Sequence, residues 1–151
     1  REHHATFRQL NLHDMQPCLN LLKRWRINQG RRRNFLLDWG YTKAAVQHYA
    51  EFKRHHLQGW CVEVEGEVVA FAMAGPISAN TANFFIAKSD TTMVGLSEYL
   101  RMNVHSELSD YDRVNDAGDL GLPGLRRHKM KFRPTELAPV YTAELTIQTT
   151  A

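Results

Sequence analysis

The stretch from Val68 to Ala74 (VVAFAMA) is apolar at every position, and it constrains the fold more than any other part of the sequence. An uninterrupted apolar run that ends at Gly75 and Pro76 is typical of a central strand covered by other elements on both faces. The run is far shorter than the roughly 18 residues that a membrane-spanning helix needs. The sequence therefore predicts a sheet with layers on both sides and no transmembrane segment.

The neighbouring residues continue the pattern of a sheet. Residues 60–64 alternate between apolar and more polar side chains, and Glu65-Gly66 predicts the tight turn of a hairpin that leads into the apolar strand. The other segments predicted as strands are residues 5–10, 82–88, 111–115 and 136–148, the last with a Pro139 that favours an edge or a bulge.

Helical periodicity occupies the intervals between these strands. Asn11 is suited to cap a helix that runs to about residue 28 and stops at Gly30. Apolar residues three and four apart predict its buried face, which consists of Met15, Cys18, Leu19, Leu22 and Trp25. A loop is predicted over residues 31–40, followed by helices over 42–56 and 93–108 and by a helix that Pro123 opens.

The resulting order of elements, βααβββαβαβ, is the topology of the GNAT acyltransferase fold, an α/β fold with a mixed central sheet and helices on both faces. Its length of 151 residues suits one domain, residues 1–151. In this architecture the fourth and fifth strands, here 82–88 and 111–115, splay apart, and the acyl donor enters the wedge. Because the chain starts at Arg1 rather than Met, we expect a piece cut from a longer protein.

The cysteines and histidines of the sequence indicate whether the chain carries disulfides, reactive thiols or a metal site. Cys18 and Cys61 form no pair motif, which predicts buried, inert thiols and a reducing, cytoplasmic setting. The eight histidines show no metal-ligand spacing, so they are interpreted as surface or terminal residues, with no metal site.

Positive charge is modest in total, at +3, but it is clustered. Clusters of this kind attract phosphates on RNA or on anionic lipid headgroups, although solvated charge also explains the first two. They are Lys23–Arg26, Arg31–Arg33 and Arg126–Arg133.

The densest candidate site follows the fifth strand, where residues 111–134 read YDRVNDAGDLGLPGLRRHKMKFRP. Asp119 to Gly124 form a glycine-punctuated turn into a helix start, whose free N–H groups at Gly121, Leu122 and Gly124 would bind an anion together with Arg126. Asp119 would receive an ammonium group or act as a base.

Structural explanations remain open for the same residues. Asp119 can be a helix cap beside turn glycines, with Arg126 and Lys129 solvated, and Asn115 can be a strand-end amide that ties down a loop. Lys88 can be a surface residue rather than a substrate contact. Tyr111 and Tyr141 can be proton donors at the cleft or tyrosines packed in the sheet.

This segment resembles the C-terminal domain of the phosphatidylglycerol lysyltransferase-like family. The resemblance implies aminoacyl transfer from tRNA to an amine or hydroxyl acceptor such as a lipid headgroup, by a cytoplasmic domain at the inner face of the membrane that follows another domain. Relatives often carry a His and a Glu in the fourth strand, where this chain has Phe84 or Phe85 and Ala87. The matching residues are Asn115, Asp119, Gly121, Gly124, Arg126, Lys129 and Pro134.

The donor-binding loop of acetyl-CoA-dependent GNAT enzymes has no clear counterpart. That loop has the pattern Q/R-x-x-G-x-G/A, whereas residues 89–98 read SDTTMVGLSE with a single Gly95. The sequence thus favours a donor other than CoA, and the family resemblance implies aminoacyl-tRNA as donor and no tightly bound cofactor. An acyl-CoA-dependent N-acyltransferase and a non-catalytic module that binds nucleic acid or a membrane surface are the alternatives. Asn115 and Asp119 are the catalytic candidates, and Arg126, Lys129, Gly121, Gly124 and Lys88 are the substrate-binding candidates.

Overall fold

The computed structural model describes residues 4–29, 34–141 and 143. The chain divides into two compact units, Arg1–Ala117 and Gly118–Ala151. In the first unit, five strands form one sheet in sequential order, antiparallel except for a parallel last pair. They are β1 (Ala5–Gln9), β2 (Gln58–Val64), β3 (Glu67–Pro76), β4 (Thr81–Ser89) and β5 (Arg113–Asn115).

Four helices belong to the first unit and one to the second, among the described residues. Their order confirms the α/β GNAT arrangement predicted from the sequence, with one additional short helix. None of the helices in the described part of the chain has the length and apolarity to span a bilayer. The helices are α1 (Met15–Gln29), α2 (Asn34–Gln47), α3 (Tyr49–Lys53), α4 (Leu96–Glu107) and, in the second unit, α5 (Pro123–Met130).

The sheet carries a separate apolar core on each face, as the all-apolar β3 predicts. On one face, α4 packs through residues such as Leu100 and Val104 against Trp60 and Phe84. The opposite core joins α1, α2 and α3 to the sheet, and β3 contributes Phe71 to it. Each fully buried side chain of this size stabilises the fold by about 1.5–3 kcal/mol.

The entry into α1 is fixed by polar contacts. Asn11 forms a capping box with the 3₁₀ turn Leu12–Asp14, since its side chain accepts from His13 N–H and Asp14 accepts from the Asn11 backbone N–H. Arg8 donates to Asp14 at 2.8 Å and to Glu63 at 2.7 Å, which joins β1 to β2 and to the turn. The Arg8 contact lowers the pKa of Asp14.

Both cysteines are buried, as predicted. Burial raises the pKa of Cys61 to about 11 and raises the pKa of Cys18 further. On α1, Leu21 is also fully buried, although the predicted apolar face did not include it. No group of three or more potential metal ligands occurs among the described residues.

Several predicted boundaries were wrong. The described residues 34–40 of the predicted loop belong to α2, which packs on α1, and the second helix is interrupted at His48 and ends at Lys53. Helix α4 begins only at Leu96 because Gly95 adopts a left-handed φ of 81°. The fifth strand begins at Arg113 rather than at 111, because Tyr111 N–H still bonds to Leu108 O at the end of α4.

The predicted last strand, residues 136–148, is not seen where it can be checked. Residues 136–141 and 143 are not in a strand, and the remainder of that segment lies outside the described residues.

Candidate functional site

The two strands predicted to part do so. β5 pairs with β4 over only three positions, Thr81, Ala82 and Asn83, whereas β4 continues to Ser89. Within the described residues, no strand pairs with this edge of β4 beyond Asn83. Backbone N–H and C=O groups of β4 that point away from β3 beyond Asn83 thus have no strand partner in the described part of the chain.

A β-bulge at Phe85 lies just beyond the point where the pairing of β4 with β5 ends. Met73 of β3 pairs with Ile86 and Ala74 pairs with Phe84, so Phe85 is the extra residue. Phe84 belongs to the core on the α4 face, but Ile86 belongs to the core on the opposite face. The bulge therefore redirects the side chains of β4, as bulges beside functional sites commonly do.

An apolar groove of about 450 Å³ lies on the α2–α3 face, next to the bulge. Phe85 and Ile86 of β4 line it opposite Tyr41 of α2 and Phe52 of α3. Gly75 also lines the groove, and it pairs with Asn83. Tyr41 is 74% exposed and Phe85 is 49% exposed, so aromatic surface faces the opening. We refer to this feature as the aromatic groove.

Asn115 lies at the last paired position of β5 and is held by two hydrogen bonds. Its Nδ2 donates to Asn83 Oδ1 at 2.9 Å, and its Oδ1 accepts from Ala117 N–H at 3.1 Å. Ala82 and Phe84, on either side of Asn83, both belong to the core on the α4 face. Because side chains alternate along a strand, the paired Asn83 and Asn115 amides lie on the opposite face, which also carries the aromatic groove. Asn115 thus ties down the loop, as its structural explanation predicts, and does so at the divergence of β4 from β5.

Lys88 is not a surface residue. Its side chain is only 7% exposed, and its Nζ donates to Asp38 Oδ2 of α2 at 2.7 Å and lies 4.5 Å from the centre of the Trp25 ring of α1. Burial lowers the pKa of Lys88, although the Asp38 carboxylate opposes this shift. Its ammonium group therefore joins both helices to β4.

A second buried cation lies on the opposite face of β4, and sequence reasoning missed it. Arg101 of α4 is 8% exposed, bonds to Asp116 just after β5, and lies with its guanidinium 4.8 Å from the centre of the Phe84 ring. His105, one helical turn on, contacts the same ring at 5.7 Å and is half-buried, contrary to the interpretation of all histidines as surface or terminal. The sequence signal was the position of Arg101 three residues before Val104 and seven before Leu108, which places it on the apolar face of the helix.

In the second unit, Asp119, Gly121 and Arg126 come together around the turn before α5. Asp119 Oδ1 accepts from Gly121 N–H at 3.0 Å, and Arg126 donates to Asp119 Oδ2 at 3.3 Å. The Gly121 hydrogen bond and then the Arg126 charge lower the pKa of Asp119. The carboxylate therefore already accepts from one cation, the Arg126 guanidinium.

The predicted anion site at the start of α5 is only partly available. Gly121 N–H is taken by the Asp119 side chain, and Leu122 N–H donates to Asp119 O at 2.9 Å. Two of the three donors expected to be free are thus used by the turn itself. Gly121 is required there because its φ is +68°, whereas a Cβ at Gly124 would meet nothing within 4 Å.

The remaining candidates have simpler surroundings. Arg126 is 64% exposed, and Lys129 lies in the last turn of α5, a helix with no buried residue. Tyr111 is half-buried against the α4-side core, and Tyr141 is 86% exposed and not in a strand. The structure brings Asp119, Gly121 and Arg126 together, and it gives Asn115 and Lys88 different partners.

Of the three basic clusters, the first is the best defined. Arg26 stacks over Trp39 of α2 with its guanidinium 4.0 Å from the ring centre, and Lys43 lies 5.3 Å from the same ring. Arg31–Arg33 lie outside the described residues. The third cluster occupies α5 and the residues that follow it.

Solved structures similar to this chain share its fold. A conserved protein of unknown function from Bacteroides thetaiotaomicron aligns with a TM-score of 0.77 at 22% identity, over 88% of this chain and 45% of its own. A possible acetyltransferase from Clostridium difficile aligns with a TM-score of 0.70 at 13% identity, over 95% and 99%. An aminoglycoside N-acetyltransferase in complex with CoA aligns with a TM-score of 0.64 at 14% identity, over 96% and 98%.

These likenesses establish the GNAT fold, and the chain spans less than half the length of the Bacteroides protein. A search of the curated proteins gives no match. The family described as phosphatidylglycerol lysyltransferase, C-terminal, matches residues 1–144. Because this match covers nearly the whole chain, the protein belongs to the phosphatidylglycerol lysyltransferase C-terminal family.

Proposed function

We propose that this chain is an aminoacyltransferase domain, which moves an amino acid from aminoacyl-tRNA to an amine or hydroxyl acceptor such as a lipid headgroup. The observation that supports the proposal is the edge of β4 beyond Asn83, which pairs with no strand of the described residues and lies beside the bulge at Phe85, in a chain of the lysyltransferase family. We further propose that the domain works at the inner face of the membrane, as the C-terminal part of a longer protein with a preceding domain.

The chemistry is a direct acyl transfer. The acceptor nitrogen or oxygen attacks the ester carbonyl carbon, the bond to the tRNA ribose oxygen breaks, and the acceptor proton passes to that oxygen. The negative charge that develops on the carbonyl oxygen needs hydrogen-bond donors, and β4 amides that point away from β3 supply them. Asn115 is the side chain placed where β4 and β5 part, so we assign it a contact to the reacting group.

The substrate's charged ends would meet the other candidates. Within the second unit, we assign Asp119 a contact to a cationic group, because its carboxylate already accepts a hydrogen bond from the Arg126 guanidinium. Arg126 and Lys129 would contact phosphate, and Gly121 and Gly124 would shape the turn. Lys88 supports β4 through Asp38 rather than by a direct contact, since it is buried beneath α1 and α2.

We assign the acceptor to the aromatic groove. Its walls are aromatic and aliphatic, and the chain beside it, Lys53-Arg54-His55-His56, is basic and exposed. An amphiphile with an anionic headgroup matches both features, because the apolar part is removed from water while the headgroup meets positive charge. Arg26, Lys43 and Trp39 provide basic and aromatic groups of the kind that contact RNA phosphates and bases.

Transfer of radiolabelled lysine or alanine from tRNA to anionic phospholipid vesicles tests the proposal. We expect Asn115→Ala to lower kcat by roughly 100-fold, as loss of one polar contact to a reacting group does. Phe85→Asp should raise the KM for lipid more than it lowers kcat. Ile77→Asp is the control, because Ile77 is 57% exposed and does not line the groove. Absence of transfer to any lipid, by the full-length protein as well, would overturn the assignment.

An acyl-CoA-dependent N-acyltransferase is the second candidate, supported by the fold shared with an N-acetyltransferase in complex with CoA. Pyrophosphate would have to bind at the start of α4, where Gly95 adopts the left-handed conformation and no side chain caps the helix. Calorimetry with acetyl-CoA distinguishes the two donors. Micromolar binding that Gly95→Val abolishes would favour the CoA donor over tRNA.

A further inference from the structure

Arg101 links three elements at the point where β4 and β5 part. It extends from α4, lies over the face of Phe84 in β4, and bonds to Asp116, the first residue after β5. It is buried, and its Nε has no hydrogen-bond partner among the described residues. A buried cation destabilises a fold unless it is paired, so Asp116 is held beside Arg101. Because Asp116 directly follows β5, this contact fixes the point at which the chain leaves the sheet.

The residues around Asp116 form a specific turn. Asn115 Oδ1 accepts from Ala117 N–H, which closes a turn of the kind that asparagine side chains commonly make. Ala117 has a φ of 55°, a left-handed conformation that a residue with a Cβ adopts only when its surroundings demand it. Asp116 lies between these two residues, so its bond to Arg101 acts on the turn directly.

We propose that Arg101 is a positioning residue that ends β5 at Asn115 and holds the Asn115 amide against Asn83. The Arg101–Asp116 pair holds the turn, the turn stops the parallel pairing after three positions, and Asn115 is thereby fixed between Ala117 and Asn83. The consequence for catalysis rests on the proposed function, in which Asn115 contacts the reacting group.

The surroundings of Arg101 explain why an arginine occupies this position. Its planar guanidinium can lie on the Phe84 ring while an N–H of its fork donates to a carboxylate, whereas a lysine ammonium is a point charge. His105 also contacts this ring, at 5.7 Å between ring centres. Burial lowers its pKa, and Arg101 contributes to that shift while Asp116 opposes it.

The test combines a structural readout with a kinetic one. In ¹⁵N-labelled protein, the Asn115 side-chain amide, which is exposed but donates to Asn83, should exchange with water measurably more slowly than an unbonded amide, and Arg101→Met should remove this protection. In the transfer assay, Arg101→Met should lower kcat by roughly 100-fold with little change in KM, because Asn115 is misplaced rather than removed. Arg101→Lys should recover part of both losses. Met102→Gln is the control, because Met102 is on the same helix and 60% exposed.

Asp116→Asn keeps the proposal testable if Arg101→Met does not fold, because it weakens the same contact from a side chain that is 22% exposed. It should also speed the exchange of the Asn115 amide. Unchanged exchange in a folded Arg101→Met or Asp116→Asn variant overturns the proposal, whatever the activity. If the wild-type protein transfers no amino acid but the exchange responds as expected, the proposed function fails and the positioning role of Arg101 stands.

Discussion

Lys88 of β4 and Asp38 of α2 form an ion pair at 2.7 Å whose two members are buried very unequally. The Lys88 side chain is 7% exposed and the Asp38 side chain is 37% exposed. Asp38 can therefore be hydrated without Lys88, but Lys88 cannot be hydrated without local opening of α1 or α2. The two halves of the pair should thus respond differently to mutation.

We predict that Asp38→Asn destabilises the protein more than Lys88→Met does. The first change leaves a buried ammonium without its carboxylate, which costs about 1–3 kcal/mol. The second leaves a carboxylate that water can reach, and the methionine keeps most of the packing against Trp25. Urea unfolding at pH 7 measures both effects, and an equal loss in the two variants would contradict the unequal burial.

The same pair predicts a pH dependence. Burial holds the pKa of Lys88 below its ordinary value of 10.5. The unfolded state therefore binds more protons than the folded state as pH rises toward 10.5, and this group makes the protein more stable with rising pH in that window. Asp38→Asn removes the charge that opposes the shift, so the rise should begin at a lower pH. Lys88→Met should abolish this part of the rise.

Two glycines should respond to alanine in opposite directions. At Gly59 of β2, a Cβ would meet Leu10 Cδ1 at 2.7 Å and Tyr49 Oη at 2.9 Å, so Gly59→Ala should cost about 1–3 kcal/mol. At Gly40, inside α2, a Cβ meets nothing within 4 Å, so Gly40→Ala should stabilise the helix by about 0.5–1 kcal/mol. Thermal unfolding of both variants checks the signs, and a loss at Gly40 would contradict the open space there.

Both thiols should be unreactive in the folded protein. Cys18 and Cys61 are fully buried, and burial raises the pKa of Cys61 to about 11, so little thiolate is present at pH 8. Ellman's reagent should modify native protein at least about 100-fold more slowly than urea-unfolded protein. Rapid modification of one native thiol would show that its face of the sheet opens locally.

The sheet could be predicted from the sequence because its signals are local. The apolar run of β3 predicts that this strand is buried on both faces, as it is. Glu65 and Gly66 both have the positive φ that a tight hairpin turn needs. The capping role of Asn11 was also predictable, because asparagine is a preferred capping residue at the start of a helix. Where a signal depends on one residue and its immediate neighbours, the structure confirms it.

The candidate site was harder to predict because its contacts join distant parts of the chain. Lys88 meets Asp38 fifty positions away, and Arg101 meets Asp116 fifteen positions away, so neither partner follows from spacing. The start of α2 was missed because Gly40 interrupts the helical pattern, and the packing of α2 on α1 is a tertiary contact. The Asp119 turn was found, but which N–H groups it uses depends on its three-dimensional geometry.

His105 provides a last prediction, on acid stability. Burial holds its pKa below the ordinary value of 6.5, with Arg101 adding to the shift and Asp116 opposing it. As pH falls through 6.5 toward the folded-state pKa, the unfolded chain gains a proton that the folded protein does not, so stability is lost in this window at up to about 1.4 kcal/mol per pH unit. His105→Gln should flatten this loss in urea unfolding from pH 7.5 to 5.5. An unchanged slope in His105→Gln would mean that the imidazole is hydrated in the folded state and that the Phe84 side of the sheet is open to water.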